Sequence, residues 1–348
     1  MRPFLCLVFA NHLTFECSPV QILQKYFGGA CPMKKVLLSL LAILIVATTA
    51  FAGKTYTVSV TQIVEHPSLD AMRNGVIDRL KDKGVEAEFN VHIAQGNAAT
   101  NIQIVNQMRD EQPDLILAIA TPGAQAAAQK IHDRPILFTG VTDPVSAGLV
   151  KDLQNSDGKN ITGMTDFPPI NKHIELIQEI VPTVKSIGVI YNAGEPNSVV
   201  LVNKLNEEAA KAGLAVEEAT IANSSGVYQA AKSLVGRCDV IYIPTDNTAI
   251  SALESAIKVC KQNRLPLIVG DVDSVARGAI AAIAVDYYKM GLQTGDMAYK
   301  ILVEGIKPAD MPVELLHNLN LHVNKKAAAS MGVPLPETVI KRAAKVIE

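Results

Sequence analysis

The sequence predicts an α/β fold of two doubly wound parallel-sheet lobes with a ligand cleft between them, and three observations carry that expectation. Leu115 to Ala120 is apolar without alternation, as a parallel strand buried on both faces requires, and Thr121-Pro122 follows as an N-cap and a first-turn proline. The pattern then returns: with Asp114 laid on Asp239, the runs D-L-I-L-A-I and D-V-I-Y-I-P coincide, and Thr121 falls on Asp246. Lys83-Gly84-Val85-Glu86 likewise matches Lys211-Ala212-Gly213-Leu214, and the segment from Arg134 matches that from Leu265. Finally, strand and helix patterns alternate along the whole chain, which is the grammar of parallel sheets.

Taken in order, Tyr56 to Ile63 alternates weakly and is the first expected strand, with Gln62, Glu65 and His66 leading into a loop. Pro67-Ser68 opens a helix to Lys83, in which Leu69, Met72, Val76, Ile77 and Leu80 form an apolar stripe. Strands are expected over 86–93, 113–121 and 135–141, with a helix over 97–111. Asn160 to Asp166 is a short strand and the first crossing between lobes. The second unit alternates helices over 169–181, 199–212, 226–236 and 247–262 with strands over 186–191, 214–220, 239–244 and 265–270. Ala279 to Val285 heads into Asp286-Tyr287-Tyr288, a second crossing, before a helix over 289–304. Extended segments at 313–316 and 320–323 are expected to rejoin the first lobe. The expected division is therefore 53–164 plus 286–348 for lobe 1 and 165–285 for lobe 2.

A chain of 348 residues suits two domains of ordinary size, and 49% hydrophobic content with a net charge of −2 leaves no basic excess for nucleic acid. Met33 to Ala52 has the parts of a secretory signal peptide: a basic start at Lys34-Lys35, an uncharged apolar run from Val36, and the small-residue end Ala50-Phe51-Ala52. Cleavage is expected before Gly53, giving a periplasmic protein. Translation is expected to start at Met33, with residues 1–32 a mis-assigned extension that holds Cys6, Cys17 and Cys31. Cys238 and Cys260 remain, at the same expected end of one sheet, as either a disulfide or two buried thiols.

The sequence has no G-x-S-x-G, no H-E-x-x-H, no paired-cysteine zinc spacing and no G-x-x-x-x-G-K phosphate loop. Its seven histidines are scattered. No catalytic residue, metal or cofactor is expected.

The export signal, S-V-T-Q-I-V-E-H-P-S-L-D, A-I-A-T-P-G-A-Q-A, V-T-D-P-V, G-V-I-Y-N-A-G-E-P-N-S, P-T-D-N and D-Y-Y-K-M-G-L-Q together resemble the solute-binding proteins of bacterial ABC importers. The chain is similar to the branch with tryptophan- and other aromatic-amino-acid-binding members, from Lys54 to about Val339. That resemblance implies the type 1 periplasmic binding protein fold, with three strands joining two lobes. It also implies capture of a small solute, hinge closure, and delivery by a monomer to a membrane permease served by a separate ATPase. A periplasmic sensor of a signalling system and an exported enzyme are the alternative readings.

Candidate ligand residues sit at the carboxyl ends of predicted strands. Thr121 and the free N–H groups at its helix start suit a carboxylate, with Gln125 one turn on; Thr121 is equally an ordinary helix cap. Asp246, beside Asn247, and Asp271 suit an ammonium, although Asp246 also reads as a cap. Tyr191 is the expected aromatic wall, in a sequence without tryptophan, and Asn192, Glu195, Asn197 and Ser198 continue its loop. Gln62 and His66 occupy the first strand-to-helix loop. Asp143, before Pro144, reads as turn or ligand contact, and Asp166 as hinge or ligand contact.

Overall fold

The computed structural model describes residues 54–348 apart from Asn155, so the expected signal peptide and the segment before it lie outside the described residues. The chain begins β1 (Tyr56–Gln62), α1 (Pro67–Asp82), β2 (Ala87–Ile93), α2 (Ala98–Glu111), β3 (Leu115–Ile119), α3 (Thr121–Lys130), β4 (Ile136–Val141) and β5 (Ile161–Thr165). It continues with α4 (Ile170–Ile180), β6 (Ser186–Asn192), α5 (Pro196–Lys211), β7 (Ala215–Ile221), α6 (Val227–Leu234) and β8 (Val240–Ile243). Then come α7 (Asn247–Ser251), α8 (Leu253–Asn263), β9 (Leu267–Val269), α9 (Asp273–Arg277), β10 (Ala281–Ala284) and α10 (Tyr287–Leu302). The end of the chain forms β11 (Glu314–Leu315), β12 (Asn320–Asn324), α11 (Lys325–Ser330), α12 (Glu337–Arg342) and β13 (Lys345–Ile347).

Two sheets result, ordered β11-β5-β4-β3-β1-β2 and β13-β12-β10-β9-β8-β6-β7. All their pairings are parallel except β10 with β12. Each contains the same doubly wound core, β2-β1-β3-β4-β5 in one lobe and β7-β6-β8-β9-β10 in the other. The alignment of Asp114 with Asp239 is physical as well as textual. Asp114 Oδ2 accepts from Thr57 N, and Asp239 Oδ2 accepts from Lys185 N and Ser186 N, so each carboxylate ties the start of one strand to its neighbour. The unbroken apolar runs are buried throughout in β3, β4 and β8, as strands covered on both faces must be.

The chain crosses between lobes three times: after β5, after β10, and between β11 and β12. This corrects the expectation that residues 320–348 complete lobe 1. β12 instead lies antiparallel on β10, burying Leu321 and Val323, and β13 adds to its far side. Without them the backbone edge of β10 would stay unpaired, and covering that edge outweighs a return to the first lobe. The single helix expected over 247–262 is also two, because Ala252 leaves helical geometry at φ −119°, ψ 29°.

Cys238 and Cys260 are free, buried thiols, which settles the alternative left open by the sequence. Cys238 occupies the space that the missing side chain of Gly188 leaves, with its Sγ 3.5 Å from the Leu234 carbonyl oxygen. Burial pushes the Cys238 thiol up to about 11 and that of Cys260 to about 12, so neither is a thiolate at neutral pH.

Lobe 1 is set by one contact between helices α1 and α10. Gly75 on α1 and Gly291 and Gly295 on α10 let the two backbones touch: a Cβ on Gly291 would stand 2.2 Å from the Met72 carbonyl oxygen, and one on Gly75 2.5 Å from that of Tyr288. An alanine in a helix ordinarily gains up to about 1 kcal/mol over glycine. Here the added methyl meets immovable backbone, so Gly291→Ala is expected to destabilise the fold by about 1–3 kcal/mol in urea unfolding. Stability unchanged or improved would mean that the helices are not in backbone contact.

Candidate functional site

The carboxyl ends of both sheets face one another across a narrow cavity. Lobe 1 lines it with His66, the first α1 residues Ser68, Leu69 and Met72, and Gly140 and Thr142 around the end of β4. Asp166 and Tyr287, at the first and second crossings, close one side. Lobe 2 contributes Asn197 at the start of α5, Thr245 after β8, Asn247 and Ile250 on α7, and Asp271 after β9.

The lobes touch through hydrogen bonds. Ser68 Oγ donates to Asp271 Oδ1 at 2.9 Å across the cleft, and the same oxygen accepts from Ser274 N at 2.9 Å. Asp271 Oδ2 has no partner although the residue is only 2% exposed. His66 Nδ1, Asp166 Oδ1, Asn197 Oδ1 and Thr245 Oγ1 are also buried and unpaired, and all five residues line the cavity. Buried polar atoms are normally paired, so this concentration marks a place built for a polar guest.

Electrostatics sharpen that description. Burial holds His66 below the ordinary histidine range against the opposing pull of Asp271, leaving a neutral ring at pH 7. Burial pushes the Asp166 carboxyl up to about 6, with Thr142 and Tyr287 hydrogen bonds working the other way. Asp273 is likewise raised to about 6, by burial and then by its neighbour Asp271. Among the described residues no lysine or arginine lines the cavity, so its charged groups are carboxyls.

Of the residues expected from sequence, His66, Asp166, Asn197, Asn247 and Asp271 come together here. The others serve their own lobes. Gln62 donates to Val64 O and Asp70 Oδ1 and accepts from Arg73, pinning the loop before α1. Asp143 accepts from Val145 N, Ser146 N and Ser146 Oγ, which is turn chemistry. Gln125 donates to Ala147 O, and the Tyr191 hydroxyl donates to Glu218, so neither lines the cavity; Tyr287 takes the place foreseen for Tyr191. Thr121 is the first residue of α3 rather than its cap, buried with an unpaired hydroxyl but outside the cavity lining. The cap position is Ala120, at φ 70° and ψ 162°, a conformation that costs a non-glycine residue about 1–3 kcal/mol.

The ammonium role foreseen for Asp246 is replaced by a structural one. Its Oδ1 accepts from Ala249 N at 2.6 Å, capping α7, while Oδ2 accepts from Asn192 N and Ser198 Oγ, each at 2.6 Å. Beside it, Glu195 accepts from the backbone N–H groups and side chains of Asn247 and Thr248. Both carboxylates at the start of α7 are thus spent inside lobe 2, with Asn192 and Ser198 tethering Asp246, and the Asn192 side chain donating to Thr248 Oγ1. Burial and the adjacent Glu195 raise the Asp246 carboxyl.

The sequence reading missed Ser68, Leu69, Met72, Gly140, Thr142, Thr245, Ile250 and Tyr287 as lining residues. Thr142, Thr245 and Tyr287 each follow a strand end, the signal that singled out Asp271, but carry no ionisable group at pH 7 to draw notice. A serine, a histidine and a glutamate do meet elsewhere, on β1, β2 and α2. There Ser59 Oγ donates to Glu111 directly and His92 lies on the other Glu111 oxygen, so the imidazole does not contact the hydroxyl it would have to activate.

Residues 57–347 match the family model described as ABC transporter substrate binding protein. The chain is 41% identical over 284 residues to a tyrosine-binding protein of Clostridioides difficile, covering 80% of this chain and 82% of that protein. Among solved structures it is similar to an ABC domain from Streptococcus pneumonia in complex with L-Trp, at 32% identity and a TM-score of 0.81, with 84% of this chain and all of that one covered. A ligand-free, open substrate binding protein from Clostridium difficile is more alike in sequence, at 38% identity, but less in shape, with a TM-score of 0.63 over 84% of this chain and 99% of that one.

The geometry separates a structural carboxylate from the cavity. Asp246→Ala is expected to strand buried donors at Asn192, Ser198 and Ala249 and to remove a helix cap, lowering stability by about 2–4 kcal/mol. Thermal or urea unfolding would measure this; a fold of undiminished stability would contradict the tethering role.

Proposed function

This chain belongs to the ABC transporter substrate binding protein family, and we propose that it is the extracytoplasmic receptor of an importer for an aromatic amino acid such as tyrosine, tryptophan or phenylalanine. The observation that carries the reading is the buried, unpaired Asp271 Oδ2 in the interlobe cavity, a ready partner for an ammonium. Leu69, Met72 and Ile250 provide apolar surface for a ring, and Tyr287 an aromatic edge. The relatives reported above, one named for tyrosine and one bound to L-Trp, support the same ligand class.

The mechanism is conformational. Open lobes admit the amino acid, rotation about the three crossings buries it, and the Ser68–Asp271 hydrogen bond forms as the cleft shuts. The greater likeness in shape to the L-Trp complex than to the open, ligand-free relative supports a closed arrangement of the lobes. Closed protein is then recognised by a membrane permease whose ATPase is a separate chain, and no bond is made or broken. A signal peptide cleaved before Gly53 would deliver the receptor, as a monomer, to the periplasm.

A ligand present at 100 times its dissociation constant adds about 2.7 kcal/mol to stability. L-Tyrosine, L-tryptophan or L-phenylalanine is therefore expected to raise the midpoint of thermal unfolding by several degrees, and Asp271→Asn to weaken binding by about 2–5 kcal/mol. A flat response to all amino acids would refute the assignment; a response to branched aliphatic ones alone would change the ligand.

A further inference from the structure

Among the described residues no lysine or arginine lines the cavity, and its unpaired atoms include the oxygens Asp166 Oδ1, Asn197 Oδ1 and Asp271 Oδ2 beside Thr245 Oγ1 and His66 Nδ1. An ammonium on Asp271 supplies three donors to this set. An amino acid also brings a carboxylate. Against an ionised Asp166 that carboxylate would form a buried like-charge pair, which is strongly unfavourable away from water.

The two cavity carboxyls are not equivalent. Asp271 Oδ1 accepts two good hydrogen bonds, from Ser68 Oγ and Ser274 N. Asp166 accepts a long bond, 3.3 Å from the Tyr287 hydroxyl, on Oδ2, has the Thr142 hydroxyl beside it, and leaves Oδ1 without a partner. We propose that Asp166 takes up a proton as the amino acid binds, and that its protonated Oδ1 donates the hydrogen bond that holds the ligand's carboxylate. The inference rests on the amino-acid reading above and assigns the half of the ligand that Asp271 does not hold. Burial already brings the Asp166 carboxyl to about 6, so the proton is available near neutral pH.

The surroundings of Asp166 agree. From α10 it faces Tyr287, and from the loop after β4 the Thr142 hydroxyl. Along the cavity lie Asp271 and the neutral His66. On its hinge side a second pocket holds Lys204 and His317, but Lys204 is engaged by Glu207 and Glu208.

Calorimetric titration of the purified protein with L-tyrosine between pH 5.5 and 8, in buffers of different ionisation enthalpy, tests this directly. The expected result is uptake of nearly one proton at pH 7 and a Kd that rises about tenfold per pH unit above 6. Tyramine, which lacks the carboxylate, should show neither. Asp166→Asn, whose amide donates without a proton, should lose the slope and bind more tightly than wild type at pH 8, whereas Asp166→Ala should bind weakly throughout. No proton uptake by wild type, or binding that weakens as pH falls through 6, would overturn the proposal, the latter pointing to an ionised Asp166 serving an ammonium. These wild-type measurements decide it even where a variant does not fold. Failure to bind tyrosine, tryptophan or phenylalanine at any pH would instead bring down the amino-acid reading and this inference with it.

Discussion

Asp271 divides its carboxylate between two tasks, and the rest of the site depends on that division. One oxygen receives Ser68 from the opposite lobe and so belongs to the closed arrangement; the other is buried in the same arrangement without a partner. Closing the cleft therefore makes a hydrogen bond and at the same time buries a polar oxygen without a partner, which is costly away from water. In the proposed function a ligand ammonium supplies that partner. Closure and binding are thereby linked by an interaction that exists only in the closed state, which is the condition for a ligand to shift a conformational equilibrium. The unpaired atoms of His66, Asn197 and Thr245 act in the same direction.

Such coupling needs the cavity walls to be stiff, and lobe 1 obtains stiffness from backbone contact rather than side-chain packing. With Gly75 against α10 and Gly291 against Met72 O, neither helix can slide without a clash. The first two turns of α1 hold Ser68, Leu69 and Met72, and the first residue of α10 is Tyr287, so one contact fixes the positions of four lining residues. Gly140 extends the arrangement. At φ +65° it turns the end of β4 away while Met72 Cε fills the space a side chain would take, 2.7 Å from its notional Cβ. The apolar floor of the cavity is thus the underside of the glycine-mediated helix pair.

The fold was legible in the sequence because its signals are local. Continuous apolar runs, proline at helix starts and the repeated Asp114 and Asp239 each depend on a few neighbouring residues, and each has its expected place. Asp271 and Asp166 could be read from their positions at strand ends. Asp246 misled because a cap, a tether and a ligand anchor ask for the same residue at the same place; only the positions of Asn192 N and Ser198 Oγ, brought in from another strand-to-helix loop, decide among them. The destination of residues 320–348 was illegible for a related reason. Two short extended segments carry no label for a sheet, and the exposed edge of β10 that captures β12 exists only once lobe 2 has formed.

The two lobes share a plan, and they diverge at the helix starts that follow their central strands. In an open α/β sheet, the helix that follows the central strand offers its N-terminus to an anion. In lobe 2 that place is taken: Glu195, from the loop before α5, accepts from Asn247 N and Thr248 N, and Asp246 accepts from Ala249 N, so the start of α7 is already covered by carboxylates of its own lobe. In lobe 1 the corresponding start is the strained Ala120 followed by Thr121, whose side chain does not line the cavity. The cavity is lined by the start of α1 with His66, Ser68 and Leu69, by Asn197 and Asn247 at the starts of α5 and α7, by the strand ends Gly140 to Thr142 after β4 and Asp271 after β9, and by Asp166 and Tyr287 at the crossings.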